Sequence, residues 1–501
     1  MKKIKNISLL LLTMLITSSC GSVRQIPGYD NTLDKFNTNL FYANVGEVQA
    51  ADPQVIAAEG KFYMYATNAN SNGDCSYLQV FSSENLTNWT NEGICYQPSL
   101  TNWAIDGLWA PEVIEHDGTY YLYYSGWDIK RGGHQIGVAT SSSPKGPFID
   151  YTGESSNGFI DPKVKSPLQM SFPTIDASPF IDDDGEKYLL LTKDQVAGTS
   201  SIYIAKMNDD MATVDYSTLT MLLTPSLSWE KKSVTSFWNE APYMYKKDGI
   251  YYLFYSTNYY MDRYYAIGVA TSTSPMGPFT KNEEPVLMVQ DYWDYISGTG
   301  HCSIFESIDK KETFIAYHSH IDTTLGGGER KINFDRIYFD NGKVRVNGPS
   351  LSPQILPSGS GEYSDITSKA KVKVNGVHLP KLQDNLINAY EDKLNDEVNL
   401  MMNEVTVTIE FDKEEIIRAI MIYDSSNFDY ALKKIDDIKI NNKHIKNIKM
   451  NEKYYGDDDY LFKIPISSFI YEFDELSTNK IEIKLSSEEI IYLNEIKVVG
   501  K

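Results

Sequence analysis

From Ala51 to about residue 320, apolar and polar positions fall into one unit used five times. Each copy is a short apolar strand, a polar turn and a second strand rich in aromatic residues. The copies are ADPQVIAAEGKFYMYAT from Ala51, APEVIEHDGTYYLYYSG from Ala110, IDASPFIDDDGEKYLLLT from Ile175, EAPYMYKKDGIYYLFYST from Glu240 and GHCSIFESIDKKETFIAYHSH from Gly300. Their turns carry Glu59-Gly60, Asp117-Gly118, Asp184-Gly185, Asp248-Gly249 and Asp309-Lys310. Asp-Gly between two apolar runs signals a tight hairpin. A second pair of copies, IGVATSSSPKGPF from Ile136 and IGVATSTSPMGPF from Ile267, is offset by 131 residues, about two units. Strand-only units at a period near 60 residues predict radial four-stranded blades, and five units predict a five-bladed β-propeller. The strands alternate poorly, as expected where both faces of a blade pack on neighbours.

From about Ser360 the pattern changes. VTVTIEF (Val405–Phe411), IIRAIMIY (Ile416–Tyr423), KIEIKL (Lys480–Leu485) and NEIKVVG (Asn494–Gly500) alternate or run apolar between polar turns. Such strands predict an antiparallel, jelly-roll-like β-sandwich. The chain is therefore expected to be all-β, with a propeller over 45–358 and a sandwich over 359–501. At the other end, Lys2, Lys3 and Lys5 precede an apolar run from Ile7 to Ile16, and Thr17, Ser18 and Ser19 lead to Cys20. This is read as a signal peptide over 1–20, followed by a linker over 21–44. Small residues ending in Cys resemble the lipobox of bacterial lipoproteins, with Thr17 where that pattern has Leu; a plain signal peptide is the alternative. The expectation is an exported protein tethered to a membrane only by lipid on Cys20. Gly21-Ser22-Val23-Arg24-Gln25 favours a periplasmic over a surface position of an outer-membrane anchor.

Composition sharpens this division. All seven Trp precede residue 300, so front and back are built differently. With 46 Lys plus Arg against 67 Asp plus Glu, the 501-residue chain has a formal charge of −21, which argues against a nucleic-acid partner. Cys75, Cys95 and Cys302 show no zinc spacing, and Cys75 and Cys95 are near enough in sequence to pair.

Matching positions of the five units are read as Asp52, Glu112, Asp176, Glu240 and His301, separated by 60, 64, 64 and 61 residues. The first strand of each blade lines the propeller axis, so residues at one repeat position converge on one end of a central funnel. Carboxylates crowded there repel one another and drive at least one pKa upward, the condition for an acid beside an ionised base.

The motifs Asp52-Pro53, Trp109-Ala110-Pro111-Glu112, Ile175-Asp176-Ala177-Ser178-Pro179-Phe180, Asn239-Glu240-Ala241-Pro242 and Gly300-His301, in this order over residues 45–350, resemble family 43 glycoside hydrolases. SSENLTNW from Ser82 resembles that family's SxDLxxW turn. The resemblance implies a five-bladed propeller that cleaves arabinose- and xylose-containing polysaccharides with inversion. It implies Asp52 as general base, Glu240 as general acid and Asp176 as the carboxylate that tunes and orients the acid. It implies no catalytic role for Glu112. Trp109 is read as a sugar-facing or funnel-wall aromatic of the substrate site, with core packing as the alternative. Arg330 or Arg336 is expected to contact substrate or Asp176. His301 is expected among the substrate-binding residues, and to hold a calcium ion through water or to hydrogen-bond a catalytic acid. The expected activity is α-L-arabinofuranosidase; β-xylosidase, endo-arabinanase, a galactan-active enzyme and a non-catalytic glycan-binding protein are the alternatives. The Asn-Asp-Pro and Glu-Cys-Pro motifs of levan- and sucrose-type hydrolases are replaced here by Ala51-Asp52-Pro53 and Glu240-Ala241-Pro242. The back module resembles galactose-binding-like sandwiches of discoidin type, which bind sugar or cap the propeller.

Overall fold

The computed structural model describes residues 37–501 except 45, 47, 69–73, 100–101, 129, 152–153, 156–157, 160–167, 169, 197, 233–236, 292, 294, 433–434, 446–448 and 452–465. The signal and lipidation motif around Cys20 lies outside the described residues. Five four-stranded antiparallel blades follow one another along the chain. Their inner strands are Ala51–Ala58, Trp109–His116, Thr174–Ile181, Phe237–Lys247 and Gly300–Glu306. Each hairpin leads outward to a second strand: Lys61–Thr67, Thr119–Asp128, Lys187–Val196, Ile250–Thr257 and Thr313–His320. The turns Glu59-Gly60, Asp117-Gly118 and Asp248-Gly249 have positive φ at both residues, as a tight right-twisting hairpin requires. Blades three and four are joined by a short parallel bridge, Thr199 to Phe237 and Ser200 to Trp238.

The blades are held by five apolar cores, each shared between neighbours. Tyr63 and Tyr65 of blade one, for instance, pack with Leu122 and Tyr124 of blade two, and Tyr252 and Phe254 of blade four pack with Ile315 and Tyr317 of blade five. Tyr63, Tyr65, Tyr123, Tyr124, Tyr252, Tyr255 and Tyr317 are among the largest fully buried side chains. A Tyr fills the wide gap between blades with its ring and carries a hydroxyl that must then find an acceptor. Tyr65 donates to the Pro144 carbonyl at 2.6 Å and Tyr317 to Asp335 Oδ2 at 2.6 Å. The excess of Tyr is thus largely inter-blade packing.

The ring closes through a two-stranded clasp in which Phe41 pairs with Ile355 and Tyr42 with Gln354. Asp335 is its polar hub. Ser350 Oγ and Gln354 Nε2 donate to its Oδ1 at 2.5 and 2.7 Å, and Tyr317 donates to Oδ2.

Beyond the clasp, ten strands from Ser364–Asp365 to Tyr492–Gly500 form one sheet around the long strands Glu404–Asp424 and Phe469–Ser486. The register between these two shifts between Glu410 and Glu415, so the sheet folds over and packs on itself as a sandwich. Val372, Val407, Ile409 and Ile483 meet Ile420, Ile422, Phe469 and Val498 in its core. Ala419, Met421 and Tyr423 point the other way, onto Leu40, Phe41 and Ile355 of the clasp. That is why IIRAIMIY reads as a continuous apolar run: both of its faces are covered. The sandwich is further attached by Asn347, which bonds the Asn385 carbonyl and the Ile387 N–H, and by Trp293 stacked on Tyr390. Cys75, Cys95 and Cys302 are free thiols, so the expected proximity of Cys75 and Cys95 produces no disulfide.

Candidate active site

Each inner strand carries a β-bulge at the same depth of the funnel. The ladder breaks between Ala51 and Gln54, Trp109 and Glu112, Ile175 and Ser178, Glu240 and Tyr243, and Gly300 and Ser303. The first bulged residues are Asp52, Ala110, Asp176, Ala241 and His301, all with φ between 44° and 56°. For a non-glycine residue this left-handed conformation costs about 1–2 kcal/mol, so something must hold it. What holds it is a hydrogen bond from the preceding blade to each bulged N–H. His318 Nδ1 accepts from Asp52 at 3.1 Å, Thr67 Oγ1 from Ala110 at 2.7 Å, Ser125 Oγ from Asp176 at 3.0 Å and Ser256 Oγ from His301 at 2.7 Å. These acceptors sit at one position of the second strands, opposite the residue before each bulge. Blade three has Thr192 there, yet the Ala241 N–H is taken by Asp176 Oδ2 at 2.9 Å, with Thr192 Oγ1 3.5 Å from the same oxygen.

This geometry corrects the repeat alignment read from sequence. Asp52, Asp176 and His301 are equivalent bulge residues. Glu240 stands one place earlier, where blade two has Trp109. Glu112 stands two places later, deeper along the axis. There burial raises its pKa well above the usual range, although its carboxyl bonds Ser178.

Asp52, Asp176 and Glu240 meet on the funnel floor in different environments. Asp52 Oδ1 lies 3.2 Å from Arg330 Nη1 and 3.2 Å from His301 Nδ1. Burial acts to raise its pKa, but these contacts outweigh it and hold Asp52 well below the carboxylate range. His318 Nδ1 is also 3.4 Å from Oδ1, but it already accepts the Asp52 N–H at the shorter distance. Burial pushes the His318 pKa down to about 3, so this ring is a neutral support and Arg330 is the permanent counter-charge. Asp176 is raised to about 6, by burial first, against the pull of His301, with Asp52 adding to the rise. Glu240 is raised well above the ordinary value by burial and then by Asp176. Tyr265 OH donates to its Oε1 at 2.8 Å. Gly300 makes that bond possible: a Cβ there would lie 2.0 Å from the Tyr265 ring.

Trp109 is 37% exposed at the funnel wall, its ring 3.9 Å from that of His134. Arg330 reaches Asp52 rather than Asp176, and its guanidinium lies over the Tyr260 ring at 5.0 Å. Arg336 is not in the site. It pairs with Glu312 at 2.8 Å and donates to the Ile355 and Leu356 carbonyls, bracing the clasp. The sequence reading missed His318, Ser256 and Tyr265. Aligning the second strands would have exposed the first two, since Thr67, Ser125, Thr192, Ser256 and His318 share one position.

Calcium takes six to eight oxygen ligands. His301 offers nitrogen, and its Nδ1 already faces Asp52. The His318 Nε2 carries that ring's proton and has no lone pair to give. Among the described residues no group of three or more His, Cys, Asp or Glu side chains is arranged to hold a metal. These residues do not form a direct calcium cage.

Five blades with a buried carboxylate cluster at one end of the axis define a propeller glycosidase. The family model of glycosyl hydrolases family 43 matches residues 42–344, and the chain belongs to that family. The chain is 28% identical to a β-D-galactofuranosidase of Aspergillus niger, over 58% of this chain and 79% of that one. It is also 28% identical to xylosidase/arabinosidase 43A of Humicola insolens, over 61% of this chain and 98% of that one. A crystal structure of a thermostable family-43 glycoside hydrolase is 34% identical, with a TM-score of 0.57, over 63% of this chain and 99% of that one.

Proposed function

We propose that the protein is an inverting exo-glycosidase that removes α-L-arabinofuranose from plant polysaccharides or their oligosaccharides. One observation carries the mechanism: two buried carboxylates on one funnel floor are driven to opposite ionisation states. Asp52, beside Arg330, stays an anion and takes a proton from the attacking water. Glu240, desolvated and next to Asp176, keeps its proton. Tyr265 occupies Oε1, leaving Oε2 to protonate the departing glycosidic oxygen. Asp176 acts on Glu240 twice, by its charge and through the Ala241 N–H of the next residue. The similarity to a xylosidase/arabinosidase and a β-D-galactofuranosidase supports a furanose or pentose as substrate. β-D-Galactofuranose has the ring configuration of α-L-arabinofuranose with one more exocyclic carbon, so it is the second reading. Lipid attachment at Cys20, export and a periplasmic or outer-membrane position belong to the same proposal; metabolic labelling with palmitate, abolished by Cys20→Ser, tests the anchor.

The activity is tested with nitrophenyl α-L-arabinofuranoside, β-D-xyloside and β-D-galactofuranoside, following the anomer first released by NMR. The arabinofuranoside is expected to be the best substrate, with inverted product. Glu240→Gln and Asp52→Asn are each expected to lower turnover of a poor leaving group by about 10²–10⁴. Release unchanged in both variants would overturn the assignment.

A further inference from the structure

Asp194 is a carboxylate of this site with no assigned role. It lies in the second strand of blade three, two residues beyond Thr192. Lys193 pairs with Thr174, and the Asp194 N–H continues the ladder to the Pro173 carbonyl at 3.0 Å. Strand alternation therefore puts Asp194 on the face of Thr192, whose hydroxyl approaches Asp176. Lys193 points away, its Nζ over the Phe172 ring at 4.7 Å.

Two features set Asp194 apart. Its hydrogen bond to side chains is a long one, 3.4 Å from Ser200 Oγ to Oδ1. Among the described residues no Lys, Arg or His forms an ion pair with it, although it is half-buried beside two further acids. Burial raises its pKa. A half-buried carboxylate with one long hydrogen bond keeps acceptor sites open to the hydroxyl groups of a bound ligand. Ser200 is bridged to Trp238, two residues before Glu240, which ties Asp194 to the strand of the acid. Its charge acts on Glu240 and Asp176, whereas Asp52 answers to His301, Arg330 and His318. Through Ser200 and Trp238, and on the strand face of Thr192, Asp194 stands on the side of the floor that carries Glu240, where the leaving group departs.

We propose that Asp194 binds hydroxyl groups of the leaving-group sugar, forming a subsite that selects neutral glycosyl leaving groups and disfavours uronates. The inference rests on Glu240 as the acid. Hydroxyl donors to a carboxylate make short, strong bonds, and a negative wall repels a negative aglycone.

The test compares nitrophenyl α-L-arabinofuranoside, whose leaving group has no hydroxyls, with α-1,5-arabinobiose. Asp194→Asn and Asp194→Ala are expected to lower kcat/KM for the disaccharide about tenfold or more, mainly through KM, and for the nitrophenyl glycoside less than twofold. Equal losses on both substrates, a loss confined to kcat, or no loss in enzyme that Glu240→Gln inactivates would overturn the subsite alone. Full activity of Glu240→Gln on the disaccharide would overturn the acid assignment and the subsite with it.

Discussion

Three acids a few residues from one another in space behave as three different chemical groups because each has different neighbours. Arg330 makes Asp52 a lasting anion, the Ala241 N–H gives Asp176 a partial counterweight, and Glu240 has a Tyr hydroxyl against burial and repulsion. In the proposed mechanism the active form has Asp52 ionised and Glu240 protonated. Asp52 stays charged through the acid range, so the acid limb is set by Asp176, which loses its charge below about pH 6, and activity falls on the alkaline side as Glu240 loses its proton. The Asp176 anion raises the Glu240 pKa, so Asp176→Asn is expected to move the alkaline limb of kcat/KM to lower pH and to reduce kcat. A limb that stays in place would show that Asp176 acts only through the Ala241 peptide. Tyr265 is also stacked on neutral His318, with ring planes 9° apart, so the acid's partner and the base's support are one packed unit.

The element that brings these groups together is the bulge, and its support comes from the blade before it. Each bulged N–H is directed inward and would be left without a partner if the second-strand acceptor were lost. Ser256→Ala removes the acceptor of the His301 N–H and is expected to cost about 1–3 kcal/mol, read as a lower urea midpoint, with kcat falling as His301 shifts against Asp52. Ser256→Thr should restore both. A variant with unchanged stability would mean that the bulge holds itself. The same element explains what the sequence could and could not reveal. The five hairpins were legible because Asp-Gly turns and aromatic strands repeat, and Asp52, Asp176 and Glu240 were legible through their family motifs. The equivalence of Glu240 with Trp109 was not, because a bulge adds a residue that no hydrophobic pattern marks. Arg336 was misplaced for a related reason: among several basic residues after Gly326, only strand register separates Arg330 at the rim from Arg336 beside the clasp.

The propeller and the sandwich are one object at the clasp. Leu40, Phe41 and Ile355 would face water in an isolated ring, yet here they are covered by Ala419, Met421 and Tyr423. Removing residues 359–501 exposes this apolar seam and is expected to lower the melting temperature and to admit proteases at the segment around Phe41, as limited proteolysis and calorimetry would read. A truncated ring that melts where the full chain does would contradict this. A ring whose two ends meet in one shared apolar core and the two residue pairs of the clasp is a zipper whose slider is that clasp, the place from which it opens one blade at a time. By burying the slider, the sandwich removes this gradual route, so loss of the cap and opening of the ring become a single event whose slow rate, more than its equilibrium, sets how long the molecule survives.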